Sequence, residues 1–310
     1  MYDLIIVGGG PAGASAAVYA ARKQLKTIFL TSEWGGQSTV STEIQNWIGT
    51  PAVSGADLAN NLKKHVEAYK GDVLEIVAPS EAVKLATFDD HVEVTVKNGT
   101  VYQGCAVLVA SGAQRRKLEV PGAAEFDQKG LTYCASCDGP LFAGQDVVVV
   151  GGGNAAFETA LQLLAYCKTV TLINRTETFR ADEITVAAAQ KHPNMRFILN
   201  AVPTEVIGEQ FVTGLKWKDA TGMENILPVA GIFIEIGLIP NSGWAGDAVE
   251  KNQIGQIKVD PRTQRASHPR VWAAGDITDG VYHQNNIAAG DAVKALEDIY
   301  MYLRTSKSEI

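Results

Sequence analysis

Apolar and polar positions along this chain fall into the same layout twice. "YDLIIV" (2–7) is an apolar, β-branched run that stops at Gly8-Gly9-Gly10-Pro11-Ala12-Gly13. "ASAAVYAARKQ" then reads as a helix and "KTIFLT" (26–31) as a second strand. "QDVVVV" (145–150), "GGGNAA" (151–156), "FETALQLLAYCK" and "TVTLI" (169–173) repeat the pattern. The distance from Gly8 to Thr31, at the end of one second strand, equals that from Gly151 to Asn174. Two β-turn-α-β units of one size predict two nucleotide-binding modules.

Around these modules the period changes to two. "VEVTVKNGTVYQGCAVLVAS" (92–111) alternates and reads as a hairpin turning at Asn98-Gly99, and residues 212–236 look comparable. Arg115–Gly122 and Leu238–Gly243 carry proline with glycine nearby and read as linkers. The expected fold is α/β, with two Rossmann-like three-layer dinucleotide-binding domains. The second, 115–243, is inserted into the first, which is made of 1–114 and 244–310. Residues 261–268 read as a polar surface loop.

The 310 residues are 46% hydrophobic and 20% charged, which is ordinary for a globular chain of about two domains. A net charge of −7 argues against nucleic acid as a partner. The start of the chain leads directly into a strand with no leader pattern, and no run of about 18 apolar residues occurs. The expectation is therefore a cytoplasmic protein without a membrane partner.

Gly8-x-Gly10-x-x-Gly13 follows a strand and opens a helix, the context in which glycines let a backbone approach a pyrophosphate at a helix N-terminus. Glu33, two residues past Thr31, is the candidate ribose-binding acid. Gly151-x-Gly153-x-x-Ala156 is a second such turn, and two turns argue for two dinucleotides, a bound flavin and a diffusing nicotinamide. Its second strand ends at Asn174-Arg175 with no acid, where NADH recognition asks for one. Asn174 can hydrogen-bond a ribose hydroxyl, and Arg175 and Arg180 are candidate cations for a 2′-phosphate, which favours NADPH.

Only four cysteines are present, two of them in "YCASCDGPLF" (133–142). Cys105 and Cys167 stand alone on apolar runs, and the five histidines are scattered, so a zinc ribbon does not fit. No metal is expected. A staple across three residues restrains little chain entropy. A C-x-x-C beside two nucleotide modules reads most simply as a redox-active dithiol, with the adjacent Asp138 placed to shuttle a proton.

"GGGPAG" (8–13), "GGQ" (35–37), "TEIQNW" (42–47), "ASGA" (110–113), "YCASCDGPLF", "GGGNAA", "GIFIEIGLIPN" (231–241) and "AAGD" (273–276) together resemble the low-molecular-weight, bacterial-type thioredoxin reductase family. The chain is similar too to the flavoprotein core of the alkyl hydroperoxide reductase system, without its extra N-terminal domain. The resemblance implies FAD, with Gly8, Gly10, Gly13 and Glu33 on its ADP half and Gly36, Gln37 and Asn46 along ribityl and ring. Gly112 belongs to the same cofactor set. Gly275 and Asp276 would contact ribitol and pyrophosphate, and His283, Gln284 and Asn285 would close over the flavin. Cys137 would face the flavin, Cys134 would attack a partner disulfide, and Asp138 would serve as acid/base.

The implied enzyme is a homodimer passing electrons from NADPH to a thioredoxin-like or glutaredoxin-like disulfide. The chain departs from the family after the second turn, where a His-Arg-Arg run is replaced by Asn174-Arg175-Thr176 and Glu177 is a nearby acid. It departs again at His283-Gln284-Asn285, where relatives carry Arg-Gln-Ala. A ferredoxin-fed reductase and a non-catalytic redox-sensing flavoprotein are the alternatives. Because the dithiol lies close before Gly151, it shares a domain with the second turn, and turnover is expected to need a hinge at the linkers.

Overall fold

The computed structural model describes residues 1–41 and 43–306. Thr42, the first residue of "TEIQNW", lies outside the described residues. The chain opens with β1 (Tyr2–Gly9), α1 (Pro11–Arg22), β2 (Thr27–Trp34), α2 (Gly55–Glu67) and β3 (Leu74–Val77). The strands β4 (Ala82–Thr87), β5 (Val92–Val96), β6 (Val101–Val109) and β7 (Ala113–Arg115) follow. Next come β8 (Leu131–Thr132), α3 (Ala135–Asp138), β9 (Asp146–Val150), α4 (Asn154–Leu163), β10 (Thr169–Ile173), α5 (Glu183–Gln190) and β11 (Met195–Ile198). β12 (Val202–Gly208), β13 (Val212–Lys218), β14 (Glu224–Pro228), β15 (Gly231–Ile234), β16 (Leu238–Pro240), β17 (Val271–Ala273) and α6 (Asn285–Ser306) complete it.

These elements form two compact units: Met1–Thr42, Trp47–Gln114 and Ile239–Ile310 in one, Glu43–Asn46 and Arg115–Leu238 in the other. The strands on which the chain crosses, β7 and β16, pair with each other.

The first unit is built on a sheet of order β3-β2-β1-β6-β5-β4, with β17 added beside β6. Side chains alternate across its strands, as the pleat requires. Leu4 and Ile6 pack toward Ala17 and Ala21 of α1 and Leu296 and Ile299 of α6. Ile5 and Val7 pack the other way, with Val94, Val107 and Ile257. The alanine-rich face of α1 is what allows it to lie buried between sheet and α6. The hairpin at Asn98-Gly99 forms, with Gly99 at φ 89° and Thr100 N–H donating to Asn98 Oδ1 at 3.0 Å. The second strand does not stop at Thr31. It runs on to Trp34, which pairs with Gly9 after a register shift, so Glu33 leaves the sheet from within a strand.

The second unit has a parallel sheet of order β11-β10-β9-β15-β8. Val147 and Val149 pack on Phe157, Ala160 and Leu163 of α4. Val148 and Val150 face Val206 and Leu215 of a separate antiparallel sheet, β12-β13-β14. The expected 212–236 hairpin is β13–β14, and it pairs with a third strand that periodicity does not announce. Pro203 interrupts the alternation of β12, and it is tolerated because β12 is an edge strand with a bulge between Pro203 and Glu205. Residues 261–268 are less of a surface loop than expected: Gln264 is buried, and Arg265 Nη2 donates to Asp298 of α6 at 2.7 Å.

Candidate functional site

The first glycine turn opens a cavity of about 320 Å³ in the first unit. Gly8 sits at φ 123°, and a side chain there would run into the Ala110 carbonyl. Gly13 closes on the Gly8 carbonyl, holding α1 against β1. Gly10 faces open space, so the backbone is bare where α1 presents its unpaired N–H groups. Glu33, Gly36, Gln37, Gly112, Gly275 and Asp276 line the same cavity. α6 begins in its wall at Asn285, whose Oδ1 accepts from Ser38 Oγ at 3.0 Å.

His283 Nδ1 lies 3.5 Å from Asp276 Oδ1, and the Gln284 carbonyl accepts from Ala288 N–H in the first turn of α6. Asn46 falls elsewhere: it is grouped with the second unit and is not among the cavity walls. Sequence reasoning overlooked a brace in the cavity wall. Ser111 Oγ donates to the Asn241 carbonyl at 2.9 Å, Asn241 Nδ2 donates to the Ser111 carbonyl at 2.8 Å, and Trp244 Nε1 donates to Ser111 Oγ at 3.2 Å. Two of these residues sit inside the family motifs; nothing in the sequence singles out Trp244.

The second turn repeats the backbone of the first. Gly151 has φ 149° and lies under the Glu235 carbonyl, Gly153 precedes α4 with open space above it, and Ala156 is fully buried. Asn174 is buried and its amide is committed. Nδ2 donates to the Thr176 carbonyl at 3.0 Å, Thr176 Oγ1 at 3.1 Å and the Thr178 carbonyl at 3.0 Å. Both Nδ2 hydrogens therefore brace its own loop, which leaves Oδ1 as the atom that could accept from a ribose hydroxyl. Arg180 N–H donates to the Gly152 carbonyl at 2.8 Å, tying that loop over the turn, and the Arg175 and Arg180 side chains are exposed.

A residue that sequence reasoning did not mark, Glu235, is buried beside the turn. Its carboxylate accepts from Thr159 Oγ1 at 2.9 Å and pairs with Arg115 Nη1 at 3.3 Å. Burial pushes its pKa up, against the opposing pull of Arg115 and Thr159.

Cys134 and Cys137 form a disulfide with their Cα atoms 5.3 Å apart. Cys134 is extended and Ala135–Asp138 is one helical turn, with Cys137 and Asp138 N–H both donating to the Cys134 carbonyl. Asp138 is buried and accepts from the Thr132 hydroxyl. Burial raises its pKa and the Thr132 bond opposes the rise, so the carboxyl keeps its proton to a higher pH than an exposed one. Cys167 is buried with its pKa pushed up to about 11 by desolvation, which keeps it a thiol. Among the described residues no helix is long and apolar enough to cross a membrane.

Comparison with known proteins agrees with this geometry. Residues 2–292 match a family described as pyridine nucleotide-disulphide oxidoreductase. An alkyl hydroperoxide reductase component of Staphylococcus aureus (strain NCTC 8325 / PS 47) is 38% identical over 303 residues, covering 97% of this chain and 59% of its own length. A protein of Bacillus subtilis (strain 168) named NADH dehydrogenase is 39% identical, over 97% of this chain and 58% of its own length. The chain thus spans less than two thirds of these curated relatives. Among solved structures, thioredoxin reductase from Streptococcus pyogenes MGAS5005 superposes with a TM-score of 0.88 at 33% identity, covering 98% of this chain and 99% of that one.

Proposed function

Because the chain belongs to the pyridine nucleotide-disulphide oxidoreductase family, whose thioredoxin reductase members use FAD and NADPH, we propose that it is a thioredoxin reductase-like dithiol–disulfide oxidoreductase. It carries reducing equivalents from NADPH through Cys134 and Cys137 to a thioredoxin-like or glutaredoxin-like protein disulfide. The observation that carries this reading is the Cys134–Cys137 disulfide at the head of a helical turn that ends in the buried Asp138. On the family resemblance it works in the cytoplasm as a homodimer, without nucleic-acid or membrane partners.

The cavity of the first unit fits FAD by the chemistry of its walls. Bare backbone at Gly10 and the N–H groups opening α1 suit a pyrophosphate, and Glu33 suits ribose hydroxyls. Gly36 and Gln37 hold ribityl and ring; Gly112, Gly275 and Asp276 complete the floor; His283, Gln284 and Asn285 close it. Bound FAD supplies the two-electron store between nicotinamide and disulfide.

The remaining chemistry belongs to the chain. In the reduced pair, Cys134 thiolate attacks one sulfur of the partner disulfide, and the partner's other sulfur leaves as a thiolate that takes up a proton. Cys137 then attacks Cys134 in the mixed disulfide, releasing the second partner sulfur and restoring the pair. Asp138, whose pKa burial raises, is the proton source for these leaving thiolates.

At the second turn Arg175 and Arg180 receive the 2′-phosphate of NADPH, and no carboxylate stands at the strand end for NADH. The missing His-Arg-Arg run after the second turn favours a second reading, in which a reduced protein such as ferredoxin feeds the flavin. Anaerobic titration of the FAD-loaded protein with NADPH, NADH and reduced ferredoxin, followed by flavin absorbance, separates the two. NADPH should bleach the flavin at lower concentration than NADH; bleaching by ferredoxin alone would establish the second reading. Cys134→Ser and Cys137→Ser should each abolish disulfide turnover while leaving flavin reduction intact. Both variants turning over a thioredoxin-like substrate at wild-type rate would remove the dithiol from the mechanism. A wild-type protein that turns over no disulfide would instead be a redox sensor.

A further inference from the structure

The peptide between the two cysteines is held from outside the turn. Ser136 Oγ donates to Gln162 Oε1 on α4 at 3.0 Å, and Tyr166 Oη donates to the Ala135 carbonyl at 3.4 Å. That carbonyl also receives Gly139 N–H, so Tyr166 adds a second donor to the hydrogen bond that closes the turn. The Tyr166 hydroxyl occupies the space a side chain at Gly139 would need. Gly139 has φ −53°, a conformation any residue adopts, so the demand for glycine here comes from Tyr166 and not from the backbone. Burial raises the Tyr166 pKa, which keeps the phenol a donor.

We propose that Tyr166 and Gln162 are positioning residues for the redox pair, fixing the Ala135-Ser136 peptide to α4 and the turn that follows it and so setting how strongly Cys134 and Cys137 stay paired. In the oxidised protein the disulfide itself holds the turn, so losing the outer clamps frees little. In the reduced protein the clamps are what keep the two thiols facing each other. Removing one lets the dithiol form gain conformations that the disulfide form cannot, which lowers the effective concentration of one thiol at the other and favours reduction.

The inference rests on the reading of Cys134–Cys137 as a redox pair, and glutathione tests both without using turnover. One glutathione thiolate attacks a cysteine sulfur, breaking the Cys134–Cys137 bond and forming a mixed disulfide. A second glutathione displaces that cysteine, giving glutathione disulfide, and the two cysteine thiolates take up the two protons the glutathiones released. FAD-loaded protein is equilibrated at a series of glutathione ratios, and the reduced fraction is read by thiol alkylation and mass spectrometry.

Tyr166→Phe, which keeps the ring and removes the hydroxyl, should move the equilibrium toward the dithiol by about two- to tenfold, the range of one net side-chain hydrogen bond. Ser136→Ala should do the same, and tenfold corresponds to a potential about 30 mV less negative. Ser136→Thr restores a hydroxyl and should return to within about twofold of wild type, the spread allowed for a retained bond. Thermal unfolding of each variant verifies that the fold is kept. Tyr166→Phe and Ser136→Ala both at the wild-type equilibrium, or shifted toward the disulfide, would overturn the inference while leaving the redox pair standing. A wild-type pair that glutathione does not reduce at any ratio would sink the dithiol reading and this inference with it.

Discussion

The two glycine turns share a backbone and differ in how each is finished. In the first unit Gly8 lies under the Ala110 carbonyl, and Ala110 N–H donates to Val7 at 2.8 Å. In the second Gly151 lies under the Glu235 carbonyl, and Glu235 N–H donates to Val150 at 2.9 Å. Gly10 and Gly153 both face open space. Past the strand ends the resemblance stops. After buried Thr31 the first strand continues to Trp34 and puts the exposed Glu33 carboxylate on the cavity. The second unit's strand ends at Ile173, and past buried Asn174 the chain folds back through a loop that displays Arg175 and Arg180. The common part is what any dinucleotide pyrophosphate needs, and on the proposed function the different part would select by charge. One turn offers an acid, the other offers cations and a buried acid.

The largest effect should come from disabling each turn alone. Alanine at Gly8 or Gly151 combines a φ that L side chains rarely adopt with a collision against a backbone carbonyl. Strain of a few kcal/mol weakens binding by roughly a hundredfold or more. Gly8→Ala should purify without flavin. Gly151→Ala should keep its flavin, measured as bound flavin per protein, and lose reduction by NADPH. Loss of flavin from both would mean that the two turns do not serve separate nucleotides.

A smaller effect should separate the cations from the rest of the second turn. If Arg175 and Arg180 hold the 2′-phosphate as proposed, Arg175→Ala and Arg180→Ala each lose one charge-assisted contact and should raise the KM for NADPH by roughly tenfold. NADH lacks the 2′-phosphate, so its KM should stay within about twofold, the scatter expected when no charge-assisted contact is lost. Equal losses with both nucleotides would show that the arginines support the loop, not the phosphate.

Legibility followed the same division. The β1–α1–β2 and β9–α4–β10 units could be read because apolar runs end in glycines that the backbone requires, and Gly8, Gly10, Gly36, Gly112 and Gly275 with Glu33, Gln37 and Asp276 do gather on one cavity. The hairpin at Asn98-Gly99 was legible through its turn residues. What stayed hidden depends on contacts between distant segments. Pro203 disguised β12, the extension of β2 past Thr31 rests on pairing with Gly9, and the Ser111–Asn241–Trp244 brace joins residues 130 or more positions apart. Glu235 reads as one polar residue in an apolar strand until Arg115 and Thr159 are seen around it.

The smallest effect concerns that buried acid, the residue standing where the first unit has Ala110. Burial raises the folded-state pKa of Glu235 more than Arg115 and Thr159 lower it. A carboxyl whose pKa is raised by folding binds its proton more tightly in the folded state. Its contribution to stability is therefore complete below the ordinary glutamate value of 4.5 and is lost as pH rises toward the folded value. Glu235→Gln has no such titration. Plotted against pH, the stability of wild type should fall relative to Glu235→Gln from about pH 4.5 upward and level off once the folded carboxyl is ionised. Chemical denaturation at several pH values measures this slope independently of any fixed difference from the lost Arg115 pair. Wild type gaining on Glu235→Gln with rising pH would show that Arg115 dominates, and that the second turn holds a stabilising ion pair where the first holds an alanine.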